Sequence, residues 1–405
     1  MQLDQRMKRL ITLWILLIAL SACSQETEEV VEEPGILELI QGKDPLVDTV
    51  LANREQYRFQ FILMEISDLE PYGPLIELHD YSTSDYFYPA SMVKLPTALA
   101  TLEKLTEDSL SIDAWLKINR DQHCGNMKYI EQTEKQRLTF RQMIEELMIV
   151  SDNHHYNALY HYVSPQVLND KMKARSIEKS KIYKPFTGCE MPLNLFTNSS
   201  VAIDPNGRKV VQDSARIELE DFAKLYSYDD ELLLGSKHEY RREIVDGPYD
   251  FNYNLEYPLW DIQKTMLGVF APQSLAEENQ WNIDSTKLEF LQETMLRSPK
   301  TLGGDFARKP KDYPDNLYKY IIHGDANPKY KDVKTYSKIG ISYGFVTESA
   351  YVVDPDSGKK FILTASIYVN ANNTVNDGDY EYDEVARPFL AKFSQLILEQ
   401  LSTSH

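Results

Sequence analysis

Tyr86-Phe87-Tyr88-Pro89-Ala90-Ser91-Met92-Val93-Lys94-Leu95-Pro96 leads from an aromatic, extended stretch into a helix. A serine in the first turn and a lysine three residues later share one helix face, so the amine reaches the hydroxyl. Val93 and Leu95 flank the lysine and strip water from it, which lowers its proton affinity and lets it accept the serine proton. The start of the helix adds backbone N–H groups able to hold a developing oxyanion. The pattern S-x-x-K by itself arises by chance in most chains of this length, where the serine is a helix N-cap and the lysine is solvated. Its weight comes from what lies further along.

Ser151-Asp152-Asn153 follows a helical pattern over 139–150, and Lys338-Ile339-Gly340 opens a strand-like run that includes Tyr343-Gly344-Phe345. A lone S-D-N is most simply a helix cap or an Asx-turn. Together, however, the three stretches resemble the active-site set of the penicillin-recognising serine enzymes, and specifically the class A β-lactamases. Their order is that family's, and Ser151 lies sixty residues past Ser91, as it does there. Glu190-Met191-Pro192-Leu193-Asn194 resembles the family loop whose glutamate and asparagine hold a hydrolytic water, and Asp213-Ser214-Ala215-Arg216 is similar to another of its landmarks.

The resemblance runs from about Tyr57 to Leu401 and implies an α+β, β-lactamase/transpeptidase-like fold. That fold has an antiparallel five-stranded sheet flanked by helices, an α-helical subdomain, and a site in the cleft between them. By the same resemblance, Ser91 is the nucleophile and Lys94 its base or proton relay, with Glu190 sharing that role through water. Ser151 passes a proton to the leaving nitrogen, Asn153 orients Lys94 and a substrate amide, and Lys338 attracts a substrate carboxylate. The N–H groups of Ser91 and Ile341, beside Gly340, form the oxyanion hole, and Glu190 with Asn194 activates deacylating water. The scheme needs no metal and no organic cofactor. Two departures stand out. Glu190 and Lys338 are 148 residues apart, roughly twice the family interval, so the Tyr-rich stretch 227–284 reads as an insertion. Ile339 stands where the family has Ser or Thr.

The residues themselves support strands at both ends of the chain. Tyr57 to Ile66 is aromatic and β-branched, with a short apolar run after it at 75–78, and the runs 342–353 and 361–369 flank the turn Asp354-Pro355-Asp356-Ser357-Gly358. Strands from the two ends are expected to share one sheet, closed by an amphipathic helix over 385–401. Between them, 98–105, 139–150, 153–163, 219–226 and 285–296 have helical periodicity, giving an α-rich subdomain over about 98–335 within a catalytic domain at 46–401.

Before that domain, Lys8 and Arg9 precede the apolar run Leu10 to Leu20, too short to span a bilayer, followed by Ser21-Ala22-Cys23. Small residues before a cysteine resemble the bacterial lipoprotein signal, which implies a signal peptide at 1–22, lipidation of Cys23 and attachment to the cell envelope. Residues 23–45 read as an acidic tether. The net charge of −19 repels phosphate backbones, so nucleic acid is not expected as a partner. Cys124 and Cys189 could pair in an oxidising compartment or remain buried thiols. No metal site stands out, since His154-His155 is an adjacent pair whose side chains diverge.

The expected partner is a small molecule, a β-lactam or a peptidoglycan-like amide, met by a monomer. The first activity implied is β-lactam hydrolysis. A D-alanyl peptidase or other amidase is the alternative, needing Ser91, Lys94 and Ser151 but not Glu190. An inactive envelope binding protein that uses the Tyr-rich surface is a third. If Cys23 carries the anchor, Cys23→Ser moves the protein from the membrane to the soluble envelope fraction, because no other apolar segment of the mature chain would hold it. Fractionation with and without detergent checks this, and membrane retention of the variant would refute lipidation.

Overall fold

The computed structural model describes residues 35–67, 75–81, 86–121, 128–186, 192–309 and 311–403. The expected signal peptide, Cys23, Cys124, Cys189 and Glu190 lie outside them. The described residues before Ile40 fall in a unit separate from the rest. The expected tether is not extended to its end, since Ile36–Ile40 is already helical.

From Ile40 onward the chain builds one central sheet from both of its ends. Strands β1 (Gln60–Ser67) and β2 (Leu75–Tyr81) come from the N-terminal part, and β3 (Lys334–Ser342), β4 (Phe345–Val353) and β5 (Lys360–Tyr368) from the C-terminal part. Their order is β3-β4-β5-β1-β2, antiparallel throughout, with Leu63 opposite Leu363 and Lys338 opposite Ser349. The helices that matter for the site are α1 (Lys94–Glu107), α2 (Phe140–Ile149), α3 (Asn153–Val163), α4 (Leu259–Phe270), α5 (Ser285–Leu296) and α6 (Arg387–Thr403).

β1 is apolar without alternation from Phe61 to Met64 because both faces of the sheet are covered there. Ile62, Met64 and Ile66 join the large core shared with α1 to α5. On the other face, Phe61 with its neighbour Phe59 meets Phe389 and Phe393 of α6, edge to face at 4.8–5.1 Å between ring centres. A strand facing solvent on one side would instead alternate apolar and polar residues.

The sequence reading differs from the structure at the site's edge. Tyr343-Gly344 lies not within a strand but at the turn joining β3 to β4, with φ of +55° and +86°. Two successive positive φ values match the two-residue hairpin turn whose twist suits paired strands. The apolar run hid this turn because Tyr343 is a residue that seldom takes such a conformation. The α-rich subdomain also carries short strands, such as Trp115–Ile118 paired with Ser200–Ile203. The segment 227–284 is not irregular throughout, for α4 lies within it and buries Ile262, Met266 and Val269.

Phe393 is fully buried and touches the rings of Phe59, Phe61 and Phe389. Phe393→Ala should lower unfolding free energy by about 3–5 kcal/mol, through lost transfer energy and the cavity left behind. Urea denaturation measures it, and a loss below about 1 kcal/mol would contradict the packing of α6 on the sheet.

Candidate active site

Ser91 lies in a 3-10 turn, Ala90–Val93, that runs directly into α1, whose first residue is Lys94. Lys94 is fully buried. Its Nζ donates to Ser151 O at 2.5 Å, Ser151 Oγ at 3.0 Å and Asn153 Oδ1 at 2.7 Å, and it lies 5.1 Å from the centre of the Phe186 ring. Burial pushes its proton affinity well below that of an ordinary lysine, and repulsion from Lys338 adds to the fall, while the Asp152 carboxylate opposes it. A lysine so placed is able to act as a base.

Ser151 sits at the junction of α2 and α3. α2 opens on a capping box, with Thr139 Oγ1 accepting from Gln142 N and Gln142 Oε1 accepting from Thr139 N. α3 opens on Asp152, whose Oδ1 accepts from His155 N at 2.8 Å. The cap reading of S-D-N holds, and the same stretch also faces Lys94. Asp152 starts the helix, and its neighbours Ser151 and Asn153 reach Lys94. The short connection holds Ser151 at a φ of +58°, and Ala90 beside Ser91 is at +45°. Non-glycine residues in this region are strained, and such strain gathers at sites that the surrounding fold over-determines.

Lys338 approaches the same hydroxyl from β3. Its Nζ donates to Ser151 Oγ at 3.0 Å and to Ile339 O at 2.9 Å. Its pKa is lowered to about 7, chiefly by burial, with the Glu348 carboxylate opposing the fall and Lys319 adding to it. The closeness of β3 to Ser91 requires a glycine at 340. A Cβ there would lie 2.1 Å from Pro89 O and 3.1 Å from Met92 N, in the turn that carries Ser91. Gly340 thus lets the strand edge close on the serine.

Ile339 is 1% exposed and pairs with Glu348. By strand alternation it lies on the face opposite Lys338 and presents no hydroxyl. Ile341 is half-buried near the end of β3. Asn194 is buried on a separate turn, Leu193–Leu195, and its Oδ1 has no hydrogen-bond partner among the described residues. The structure thus brings Lys94, Ser151, Asn153 and Lys338 into direct contact, sets Ser91 and Gly340 against one another, and does not join Asn194 to them by a hydrogen bond among the described residues.

Two groups of site residues were not singled out from sequence. Glu348, fully buried in β4, accepts from Tyr320 N at 2.9 Å and Ile321 N at 2.8 Å, and its carboxylate opposes the fall in the Lys338 pKa. A lone acid within the apolar run 345–353 was the available signal. Tyr249 and Phe251 of the Tyr-rich insertion reach the β3–β4 turn, with ring centres 5.2 and 5.4 Å from Tyr343, which in turn lies 5.1 Å from Tyr88. Tyr86 Oη donates to Leu255 O at 3.0 Å, so the insertion also holds the segment leading into Ser91. Its tyrosine content was visible, but not where those rings would pack.

A five-stranded antiparallel sheet, a helical region beside it, and a serine–lysine pair at the start of a helix are the features of the penicillin-recognising serine enzymes. Residues 76–239, which include Ser91, Lys94, Ser151 and Asn153, match the model of the β-lactamase enzyme family, and the chain is related to that family. Among solved structures, a class A β-lactamase from Bacteroides cellulosilyticus DSM 14838 is similar at 12% identity and a TM-score of 0.51, over 92% of this chain and 100% of that one. A mutant of the last common ancestor of Gram-negative bacteria class A β-lactamase is similar at 12% identity and a TM-score of 0.51, over 89% and 100%. L2 complexed with relebactam is similar at 12% identity and a TM-score of 0.50, over 90% and 98%. At these identities the likeness is one of fold. No curated protein matches the chain.

The lowered pKa of Lys338 links the site to stability. Between about 7 and the ordinary value of 10.5, the unfolded chain holds a proton at this lysine that the folded chain does not. Stability should therefore rise with pH across that window, by at most about 1.4 kcal/mol per pH unit for this group. Lys338→Met keeps the side-chain length and removes the titration, so its stability relative to wild type should be highest near pH 7 and decline toward pH 10. Denaturation curves for both proteins at pH 7, 8.5 and 9.5 check this. A difference independent of pH would show that Lys338 keeps an ordinary proton affinity in the folded state.

Proposed function

We propose that the chain is an active-site serine hydrolase of β-lactamase type, which opens a cyclic amide through an acyl-enzyme on Ser91. The observation that carries this reading is the buried amine of Lys94, held by Ser151 and Asn153, in the turn following Ser91. In this scheme the Lys94 amine, or Glu190 through water, takes the Ser91 hydroxyl proton as Oγ attacks the carbonyl carbon. The N–H groups of Ser91 and Ile341 stabilise the oxyanion. The tetrahedral intermediate then collapses with cleavage of the C–N bond, and the proton passes through Ser151 to the leaving nitrogen. Lys338, when protonated, draws in a substrate carboxylate. Water activated by Glu190 and Asn194 attacks the ester carbon and frees Ser91.

One observation favours a second reading, an amidase or D-alanyl peptidase acting on cell-wall material. Ile339 stands where the resembled family has Ser or Thr, and a missing hydrogen bond to a charged group costs about 1.5–3 kcal/mol. That would weaken carboxylate-bearing β-lactams by roughly one to two powers of ten. The export signal read at 8–23 supports a lipid-anchored place in the bacterial envelope, where either substrate is met.

The two readings separate on the fate of the adduct. Mass spectrometry after exposure to a penicillin and a cephalosporin should find an adduct on Ser91 in wild type and none in Ser91→Ala. In Glu190→Ala the adduct should persist, because loss of a general base slows its step by about 10² to 10⁴. Equal adduct lifetimes in wild type and Glu190→Ala would move the assignment to the peptidase, and no adduct with either drug would overturn the β-lactamase reading.

A further inference from the structure

The α2–α3 junction holds three groups that the serine–lysine scheme does not use. Glu146 is in the last turn of α2, Asp152 caps α3, and His155 is in its first turn. One ligand atom from each lies within 4.8 Å of the other two. His155 is 7% exposed, and its Nδ1 is buried with no hydrogen-bond partner. That nitrogen lies 3.6 Å from Glu146 Oε2 and 3.7 Å from Asp152 Oδ1, beyond hydrogen-bond reach of either.

We propose that Glu146, Asp152 and His155 form a site for a divalent transition-metal ion of the zinc type. A tetrahedral ion with bonds of about 2.0–2.2 Å holds its ligand atoms about 3.3–3.6 Å apart, and the two separations from Nδ1, 3.6 and 3.7 Å, lie at or just above that spacing. One imidazole nitrogen and two carboxylates are a donor set suited to such an ion, and they leave a fourth position open. The ion's charge offsets the two carboxylates and gives the unpartnered Nδ1 its partner. Asp152 stays fit for both roles, because the oxygen that accepts from His155 N has a second lone pair.

The site's place gives it a consequence. Its ligands come from both sides of Ser151, so an ion there ties the end of α2 to the start of α3 across the residue held at a φ of +58°. Ser151 and Asn153, which grip Lys94, would then be fixed from behind by metal ligation as well as by the helix cap. The three are positioning residues for Lys94 and not catalytic ones.

The test uses the full chain without an affinity tag, with Cys23→Ser, Cys124→Ser and Cys189→Ser to remove thiols, stripped by a chelator and equilibrated with zinc chloride. Elemental analysis should find about one zinc per chain, and zinc should raise the melting temperature. Glu146→Gln and His155→Gln should each weaken binding by more than about 100-fold, since even outer partners of a metal site carry 10- to 100-fold. His154→Gln, a change to the adjacent histidine, should bind as the parent does. Glu146→Gln preserves shape at a half-buried position and keeps the test decisive if His155→Gln fails to fold. No stoichiometric zinc, or equal affinity in Glu146→Gln and the parent, would overturn the site and leave the cluster as a carboxylic acid packed on a neutral imidazole. Neither result bears on whether Ser91 forms an adduct.

Discussion

The structure depends on two buried lysines meeting at one hydroxyl. Lys94 and Lys338, 0% and 1% exposed, both donate to Ser151 Oγ. Removing an ammonium from water is costly unless acceptors replace the water or the group sheds its proton. Both remedies operate here. Ser151 O, Asn153 Oδ1 and Ile339 O supply acceptors, and burial lowers the proton affinity of both amines, helped by repulsion from Lys338 on Lys94 and from Lys319 on Lys338. The same desolvation that strains the folded state makes a lysine into a base, so the chemistry and the stability penalty have one origin.

Holding two such groups within hydrogen-bond distance requires rigid supports from distant parts of the chain. Lys94 comes from α1, Ser151 from the α2–α3 junction and Lys338 from β3, each fixed by a different device. α1 is buried along most of its length, Asp152 caps α3, and β3 is paired along its whole length with β4. Gly340 then sets how near the strand comes to the serine turn, since any Cβ there would meet Pro89 O. The sheet can carry this load because it is packed on both faces, by the main core on one and by the Phe59, Phe61, Phe389 and Phe393 rings on the other.

What could be read from sequence followed the range of the interactions. S-x-x-K and S-D-N are local, so spacing on a helix and a cap were enough to bring their side chains into view. The alliance of strands from both ends was legible because β1, β4 and β5 are rich in apolar and β-branched residues. The hairpin at Tyr343-Gly344 was not, because a tyrosine at positive φ contradicts the usual turn chemistry and only the pairing of β3 with β4 enforces it. The Glu146–Asp152–His155 cluster escaped for a related reason. The two histidines were judged as neighbours in sequence, whereas the partners of His155 come from its own cap and from the preceding helix.

The aromatic insertion and Ile339 both bear on the β3 side of the site. Tyr249 and Phe251 pack against Tyr343 and, through it, against Tyr88 just before Ser91, so rings tie the insertion to the β3–β4 turn and to the segment leading into the serine. Rings offer broad apolar contact, and here that contact is spent on fixing these segments against one another. On β3, Lys338 has a pKa of about 7, so near neutrality a substantial share of it is uncharged. An anionic substrate group would have to draw a proton onto that amine to gain full attraction, and Ile339 gives it no hydroxyl in return. In the proposed scheme, carboxylate recognition would therefore depend on protonation of a single buried lysine.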